Sequence, residues 1–393
     1  MQLNVKYTLH TCADGVYSVK AKGYVLASLW YGNESGVLPN YTAIAYIPLD
    51  APGEGSFTYT GGRSVPDEAT RVIARLVRAD CLKVEEISAL IPAEQKAKPF
   101  QPIMRFAVMS DLHLKESELR KKAYRTLYAL KNGSDSMDAL LLAGDMTNDG
   151  LPEQFELFDK ILSENVTCPV FSVAGNHDMP LSPIETGEMQ YFDFRNKLLD
   201  KSGVPIEKDP CGTYAARMGN IEIIGTNCVT DYRKFKFPDG QIEWLEKHLD
   251  EATDVSWHII LCHAPLLAHN PQRAANDHPY LNKDIKLGRI INAHNNIIFI
   301  SGHTHFSPND YHGCVEFDDE RNNVFINDGS TCPTTSKWRE DAIVSDEWCD
   351  GVYVELAVSD NDIKVIYHTV ESGKTIARGI YQKQKKQNQE ELQ

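Results

Sequence analysis

The sequence lacks the features that mark a membrane-spanning, secreted or disulfide-framed protein. No apolar run approaches the roughly 20 residues that cross a bilayer, and the first residues contain no apolar core of a secretory signal. The nine cysteines are scattered and include no Cys-x-x-Cys pair. We therefore expect reduced thiols in a cytoplasmic protein with no membrane partner, although a chain trimmed of its leader would look the same.

Positive charge is also scarce. The 40 Lys and Arg are outnumbered by 55 Asp and Glu, which gives a formal net charge of −15. An acidic chain without a basic stripe is a poor match for extended nucleic acid, which proteins grip through its phosphates. A small anionic substrate stays possible, because bound metal ions can outweigh the global field. The sequence leaves the oligomeric state open.

Residues 1–92 read as an all-β, sandwich-like accessory domain. Their short runs are rich in β-branched and aromatic residues and are punctuated by turn pairs such as Gly32-Asn33 and Gly61-Gly62. Residues 93–102 are polar and proline-containing, which predicts a linker. At the other end of the chain, residues 381–393 are mostly Lys, Gln and Glu and are predicted to form a polar tail.

Residues 103–380 read as a separate α/β domain. Continuous apolar runs, typical of strands buried on both faces, occupy residues 104–109, 139–143, 170–174, 258–262 and 297–300. Helical periodicity occurs between some of these runs, over residues 115–131, from Pro152 onward and over residues 241–249. Alternating strands and helices predict a layered α/β fold.

Five short polar blocks follow apolar runs of this second part. They are Asp111-Leu112-His113, Gly144-Asp145, Gly175-Asn176-His177-Asp178, Cys262-His263 and Gly302-His303-Thr304-His305. In open α/β sheets ligands bind beyond the carboxyl ends of the strands, where all five blocks are placed. Side chains two apart on an extended segment point the same way, so we expect Asp111 and His113 to bind one ion together.

Each block alone has a structural explanation, since Gly, Asn and Asp also form turns and an Asp-x-His pair is common on surfaces. Their joint occurrence favours a site of oxygen and nitrogen donors for two divalent ions, which fits Mn, Fe, Zn, Ni or Co about equally well. Such ions, about 3.5–4 Å apart, would neutralise a phosphate and make a bound hydroxide available. Asp145 is the expected bridge between them, because it stands alone on its strand.

His177 is the candidate general acid. It follows the expected ligand Asn176, so it should lie beside the substrate phosphate without being used as a ligand. An imidazole can donate a proton to a leaving alkoxide near neutral pH. Asp178 is a further catalytic candidate, because it could orient that ring; alternatively, it could cap the following loop. Asn176 and His177 are also the predicted substrate-binding residues.

The five blocks resemble the calcineurin-like metallophosphoesterase superfamily, whose pattern is Asp-x-His, Gly-Asp, Gly-Asn-His-(Asp/Glu), His and Gly-His-x-His. The match is complete and covers roughly residues 103–370. The resemblance implies a four-layer αββα sandwich with His177 at the position of the family's proton donor. It also implies that one ion would be held by Asp111, His113, Asp145 and His305, and the second by Asp145, Asn176, His263 and His303.

Two finer resemblances refine the expectation. Purple acid phosphatases have a Tyr ligand three residues after the Gly-Asp aspartate, where this chain has Asn148, so a ferric site of that type is not expected. Residues 144–150 look more like the bacterial phosphodiesterase-type branch. The leading β-rich segment is similar to the immunoglobulin-like or fibronectin-type domains that precede some bacterial members.

The predicted function is metal-dependent hydrolysis of a phosphoric ester, with phosphodiesters favoured. A phosphomonoesterase would use the same residues. A nuclease, a non-catalytic scaffold and a binding role for the β-rich domain are less favoured functions that the sequence also allows. Loops set the substrate in such folds, and we expect residues 179–188, 268–282 and 328–351 to border the pocket. Arg273, Tyr280, Trp338 and Trp348 in these loops could contact substrate or simply pack.

Overall fold

The computed structural model describes most of the chain: residues 1–8, 14–39, 44–49, 54–59, 68–81, 83–91, 101–115, 119–134, 136–179, 187–231, 234–266, 284–305, 315–318, 320–332, 351–360, 362–370 and 375–382. No helix within these ranges combines the length and apolar character needed to cross a bilayer.

The first eight strands form two antiparallel sheets. They are β1 (Gln2–Thr8), β2 (Asp14–Lys20), β3 (Tyr24–Asn33), β4 (Gly36–Val37), β5 (Ala45–Pro48), β6 (Glu54–Tyr59), β7 (Arg71–Arg78) and β8 (Val84–Leu90). One sheet has the order β1-β2-β6, and the other has the order β4-β3-β7-β8 with β5 also paired to β3.

One apolar core joins these two sheets. Leu3 and Val19 of the first sheet belong to the same buried cluster as Leu29 and Leu76 of the second, which is the arrangement expected of a sandwich. The kinship of this part to immunoglobulin or fibronectin domains stays a prediction, as do the domain boundaries. Most of the predicted linker and tail lies outside the described residues.

The α/β part contains fifteen strands and five helices among the described residues. The strands are β9 (Met104–Met109), β10 (Ala139–Leu142), β11 (Val170–Ser172), β12 (Ile206–Lys208), β13 (Tyr214–Met218), β14 (Ile221–Gly225), β15 (Val229–Asp231), β16 (Lys234–Phe235), β17 (Trp257–Leu261), β18 (Ile297–Ser301), β19 (Val315–Asp318), β20 (Asn323–Asn327), β21 (Val352–Val358), β22 (Asp362–Thr369) and β23 (Thr375–Gln382). The helices are α1 (Leu119–Ser134), α2 (Pro152–Asn165), α3 (Gly187–Lys201), α4 (Gln241–Glu251) and α5 (Asp284–Ala293).

Two mixed sheets organise these elements. The six-stranded sheet has the order β11-β10-β9-β21-β22-β23, and the seven-stranded sheet has the order β12-β13-β14-β17-β18-β20-β19. Strands β9, β10 and β11 are parallel neighbours, and so are β14, β17, β18 and β20. The carboxyl ends of each parallel set therefore lie along one edge of its sheet.

Burial on both faces explains the continuous apolar runs. Phe106 and Val108 of β9 belong to a buried cluster that also contains Ile223 and Ile259 of the other sheet. Their neighbours, such as Met109, face the opposite way into a second cluster with helical residues. Because adjacent side chains of a strand point to opposite faces, a strand with two buried faces has apolar residues at every position.

The predicted helices are present, with shifted ends. Helix α2 begins at Pro152, whose missing N–H costs nothing in the first turn, and α4 extends two residues beyond the predicted end. The sequence interpretation overlooked α3 and α5. Among the described side chains of helix α3, Tyr191, Phe194 and Leu198 are buried at spacings of three and four and alternate with charged residues, so the apolar pattern in the sequence is interrupted.

Candidate metal centre

Two clusters of metal-binding side chains meet at the carboxyl ends of the parallel strands. Within each cluster the candidate ligand atoms all lie within 4.8 Å of one another. The first cluster is Asp111, His113, Asp145 and His305, and the second is Asp145, His263 and His303. Asp145 belongs to both, so its carboxylate is placed to bridge two ions. Every charged or imidazole ligand that the sequence predicted is brought to this place.

In the first cluster, nitrogen and oxygen atoms that carry lone pairs lie close to one another. His113 Nε2 lies 3.0 Å from His305 Nε2, and His305 Nε2 lies 2.9 Å from Asp111 Oδ1. Asp111 Oδ1 is buried and receives no hydrogen bond from the described residues. Burial lowers the pKa of His113 to about 3, so its imidazole is neutral and offers a lone pair. This donor set fits a divalent cation.

The second cluster is assembled around His263, which is fully buried. Its Nε2 lies 3.4 Å from Asp145 Oδ2 and 3.3 Å from Asn176 Oδ1, which adds the predicted amide ligand. Its Nδ1 lies 2.7 Å from the carbonyl oxygen of Ala143. A ring that donates Nδ1–H to a carbonyl has its Nε2 lone pair available for a metal.

Electrostatics of the second cluster also call for positive charge. Burial works against a charged imidazole, but the carboxylates of Asp145 and Asp111 outweigh it and raise the pKa of His263 to about 10. Burial likewise opposes ionisation of Asp145, yet the neighbouring imidazoles of His263 and His113 hold the pKa of that carboxyl well below its usual range. A bound cation would satisfy the same carboxylates in place of a proton.

The ligand backbone is left-handed rather than extended. The φ angles are 52° at Asp111, 46° at His113, 54° at Asp145, 69° at His303 and 55° at His305. These five account for most of the eight non-glycine residues with positive φ in the described ranges, and each such conformation costs about 1–2 kcal/mol. Asp111 and His113 do belong to one cluster. The expectation that they would point the same way because their segment is extended was wrong, since both have a positive φ.

Glycines let the backbone approach these side chains closely. A Cβ atom at position 175 would overlap Asp145 Oδ1, and Gly144 has a φ of 98°. Any larger residue at position 175 would displace the carboxylate of Asp145.

His177 is held at the edge of the first cluster. Its backbone N–H donates to Asp145 Oδ1 over 2.7 Å, and its Nδ1 lies 2.8 Å from the carbonyl oxygen of Asn148. The ring packs edge-on against that of His113, with centroids 4.4 Å apart. The side chain is part-exposed, so with Nδ1 engaged by a carbonyl its Nε2 is the nitrogen available for proton transfer.

Asp178 caps the preceding turn at Gly175 and also binds Thr147; it neither orients the ring of His177 nor caps the following loop. Its buried carboxylate accepts hydrogen bonds from Gly175 N at 2.9 Å, Thr147 N at 2.9 Å and Thr147 Oγ1 at 3.0 Å. Burial, followed by the nearby charge of Asp145, raises the pKa of Asp178 to about 7. The ring of His177 is oriented by the carbonyl of Asn148 instead, so the prediction that Asp178 orients it is corrected.

Several supporting residues were missed from the sequence. Asn327, at the end of β20, accepts a hydrogen bond from Thr304 Oγ1 at 2.7 Å and donates to the carbonyl of Gly302 at 3.0 Å, which fixes the loop of two ligands. The ring of Phe235 packs against that of His303 with centroids 4.7 Å apart. Asn327 is the last residue of the apolar strand β20, so a search for polar residues at the carboxyl ends of apolar runs could have found it.

The three predicted substrate loops are largely outside the described residues. The structure describes residue 179, residues 187 and 188, and residues 328–332 and 351 of these loops, but not residues 268–282. Arg273, Tyr280, Trp338 and Trp348 all fall outside the described ranges. Their contact with substrate stays a prediction.

Comparison with known proteins gives one family match. A family model described as calcineurin-like phosphoesterase matches residues 104–307. A probable glycerophosphodiester phosphodiesterase, GpdQ, from Arcobacter nitrofigilis is 24% identical over 168 residues, which are 40% of this chain and 56% of that protein. The match therefore spans little more than half the length of that relative.

Solved structures of low sequence identity also superpose on the chain. Purple acid phosphatase PPD1 from yellow lupin gives a TM-score of 0.47 at 14% identity, covering 94% of this chain and 71% of that one. A structure of PhoD gives a TM-score of 0.47 at 13% identity, covering 96% of this chain and 89% of that one. Neither likeness bears on the activity of this chain.

Proposed function

The chain belongs to the calcineurin-like phosphoesterase family, and from that premise we propose that it is a metal-dependent hydrolase of phosphoric esters that favours phosphodiesters. The observation that carries the proposal is the position of Asp145, which is shared by two clusters of ligands with His177 beside them. Two divalent ions bound there would supply positive charge for a phosphate and activate a water near neutral pH.

The protein's own groups have distinct tasks in this proposal. The carboxylate of Asp145 joins the two halves of the site, and its Oδ1 also fixes the backbone of His177. The carbonyl of Asn148 holds Nδ1 of His177, which leaves Nε2 as the atom that gives a proton to the leaving oxygen. A positioned imidazole acid of this kind typically contributes a hundredfold or more to a rate.

The preference for diesters rests on two further observations. The similar region of the curated relative belongs to a probable glycerophosphodiester phosphodiesterase, and residues 144–150 resemble the phosphodiesterase-type branch of the family. The net charge of −15 disfavours a nuclease, because long nucleic acid is held through many phosphate contacts. A small diester needs no such surface.

A substrate panel tests the proposal. Protein loaded with Mn²⁺ or Zn²⁺ is assayed with p-nitrophenyl phosphate, bis(p-nitrophenyl) phosphate and a glycerophosphodiester, with His294→Gln as a matched histidine control just after α5. We expect the diesters to be hydrolysed with the higher kcat/KM. Faster hydrolysis of the monoester would refute the diester preference, and no hydrolysis of any ester at any metal loading would refute the activity.

A further inference from the structure

The two carboxylate oxygens of Asp111 have different surroundings. Its Oδ2 accepts hydrogen bonds from the hydroxyl of Ser110 and, over 2.9 Å, from the backbone N–H of His303. Its Oδ1 lies 2.9 Å from His305 Nε2, another ligand of the first cluster. One oxygen is therefore anchored, and the other is presented to the ion.

The anchor continues beyond Ser110 to a second buried acid. Ser110 Oγ lies 2.6 Å from Asp328 Oδ1, and the side chains of Ser110, Asp111 and Asp328 are all almost fully buried. A serine hydroxyl has a single proton, which it donates to Asp111. The short contact to Asp328 is a hydrogen bond only if Asp328 supplies the proton, so the chain of contacts requires a neutral carboxyl there.

Independent observations make Asp328 the neutral member. Its Oδ2 is buried and has no hydrogen-bond partner in the described part of the chain, and an unpaired buried oxygen costs more on an ionised carboxylate than on a neutral carboxyl. Asp111 Oδ1 differs because it lies 2.9 Å from His305 Nε2 within the ligand cluster. Burial, followed by the charge of Asp111, raises the pKa of Asp328 well above its usual range. Asp111, by contrast, faces two imidazoles of the site, with its Oδ1 at 3.8 Å from His113 Nε2 and 2.9 Å from His305 Nε2.

Backbone hydrogen bonds join the segment that carries Asp328 to the end of β18 and to residues 110 and 111. Asp328 N donates to the carbonyl of Ser301 over 2.8 Å, Thr331 N donates to the carbonyl of Ser110 over 3.0 Å, and Cys332 N donates to that of Asp111 over 3.1 Å. These hydrogen bonds fix the position of Asp328 relative to Ser110 and Asp111.

We propose that Asp328 is a positioning residue for the first ion: it donates to Ser110, Ser110 donates to Asp111, and the relay holds Asp111 Oδ1 toward the cation. The inference deepens the proposed function, because it concerns how that same site binds its metal. No contact of Asp328 with substrate is involved. Groups that orient metal ligands in this way typically change metal affinity by 10- to 100-fold when removed.

The test compares an isosteric donor with a deletion. Metal-free wild type, Asp328→Asn, Asp328→Ala and Ser110→Ala are titrated with Mn²⁺ by calorimetry, with circular dichroism as a folding check and Asp360→Asn as a surface control. The amide of Asp328→Asn keeps an N–H donor toward Ser110, so we expect affinity within about threefold of wild type. Asp328→Ala and Ser110→Ala should each weaken binding of the first ion about 10- to 100-fold.

The double variant separates a relay from two unrelated packing effects. Because both residues act through one chain of hydrogen bonds, Ser110→Ala combined with Asp328→Ala should bind Mn²⁺ no more weakly than the worse single variant. If Asp328→Ala fails to fold, Asp328→Leu, which fills the same space and also lacks a donor, takes its place with the same expected loss. Wild-type affinity in Ser110→Ala or in Asp328→Ala, or an equal loss in Asp328→Asn and Asp328→Ala, would overturn the proposal.

The outcome is separate from that of the proposed function. Ester hydrolysis is measured on the same samples, and a wild type that binds Mn²⁺ but hydrolyses nothing would contradict the activity alone. Affinity differences among the four proteins would still report on the relay.

Discussion

His113 Nε2 and His305 Nε2 face each other across 3.0 Å in a buried pocket that also contains Asp111 and Asp145. Two imidazole nitrogens at this distance share at most one proton, whereas both lone pairs can bind one cation. Without a cation, the lone pairs of these nitrogens and the negative charges of the nearby carboxylates repel one another. The folded state should therefore be stabilised by metal binding.

Removal of the metal should lower the thermal stability of the protein. An ion present at 100 times its Kd stabilises the folded state by about 2.7 kcal/mol, which corresponds to a shift of several degrees in Tm for a chain of this size. Differential scanning calorimetry before and after exhaustive chelation, and after return of Mn²⁺, measures the shift. An identical Tm in all three samples would argue against a resident cation.

Asp145→Asn should remove activity and reduce the bound metal from two ions to one or none. The amide keeps the shape of the carboxylate but loses the charge that two ions share, so we expect a fall in kcat of roughly a hundredfold or more. Elemental analysis and a chromogenic diester provide the two readouts. Asp159→Asn on α2 is the matched control, and two ions retained in Asp145→Asn would contradict the bridging role.

His177→Gln should keep both ions and slow turnover. The proton donated by Nε2 matters most when the leaving group is a poor one, so an alkyl ester should lose about a hundredfold in kcat while a nitrophenyl ester loses much less. Parallel rate measurements on the two ester types, with the metal content of each sample, test this. Equal losses for good and poor leaving groups would rule out a general acid at this position.

Gln154→Ala should affect His177 indirectly. The buried side chain of Gln154 accepts hydrogen bonds from Asn148 N at 3.2 Å and from Asp149 N at 2.9 Å, which holds the carbonyl that orients His177. We expect kcat for a poor leaving group to fall about tenfold with unchanged metal content.

Two comparisons make the test of Gln154 specific. Glu153→Ala, an exposed neighbour in the first turn of α2, should leave kcat unchanged. In a His177→Gln background, Gln154→Ala should have no further effect on kcat, since the ring it supports is already absent. A full additional loss there would show that Gln154 acts elsewhere.

A buried ion pair away from the metal centre should give a pH-dependent stability. Glu222 of β14 accepts hydrogen bonds from His248 of α4 at 3.0 Å and from His258 of β17 at 2.8 Å. Burial opposes ionisation, but these two imidazoles outweigh it and lower the pKa of Glu222 to about 2. The hydrogen bond to Glu222 is the main reason why the pKa of His248 is raised above 6.5.

The direction of the effect follows from the two shifts. The contribution of Glu222 is present above its ordinary value of 4.5 and is lost as the pH falls toward 2, while that of His248 is present below 6.5 and is lost as the pH rises through its raised pKa. Both contributions are present between pH 4.5 and pH 6.5. His248→Gln should therefore reduce the free energy of unfolding by about 1 kcal/mol in that range, and by less at pH 9. Urea titrations at pH 5.5 and 9 measure it, and a pH-independent difference would contradict the pairing.

The sequence was most informative where one physical rule acts locally. Strands buried on both faces are visible as uninterrupted apolar runs, and Pro152 marks the start of α2 because proline suits a first helical turn. The metal ligands could be named because their residue types are chemically restricted. Their positions at the ends of parallel strands then predicted that they would converge.

The parts that could not be predicted depend on distant contacts. Asp328 supports Asp111 through Ser110, which lies 218 positions before it in the chain and which no motif marks. The left-handed backbone of the ligands follows from tertiary contacts that override local preference, so the extended interpretation of residues 111–113 was natural and wrong. Two roles were considered for Asp178, to orient the ring of His177 or to cap the following loop, whereas its carboxylate accepts hydrogen bonds from backbone N–H groups of two preceding loops.

The strained φ angles of Asp111, His113, Asp145, His303 and His305 have an evolutionary consequence. A descendant that no longer needed catalysis could replace these residues by glycine or asparagine and relax its backbone at each of them. Loss of activity would then be accompanied by a gain in resistance to unfolding. Inactive members of such a lineage should melt at higher temperatures than metal-free forms of the active ones, and only continued selection for turnover keeps the tense arrangement in place.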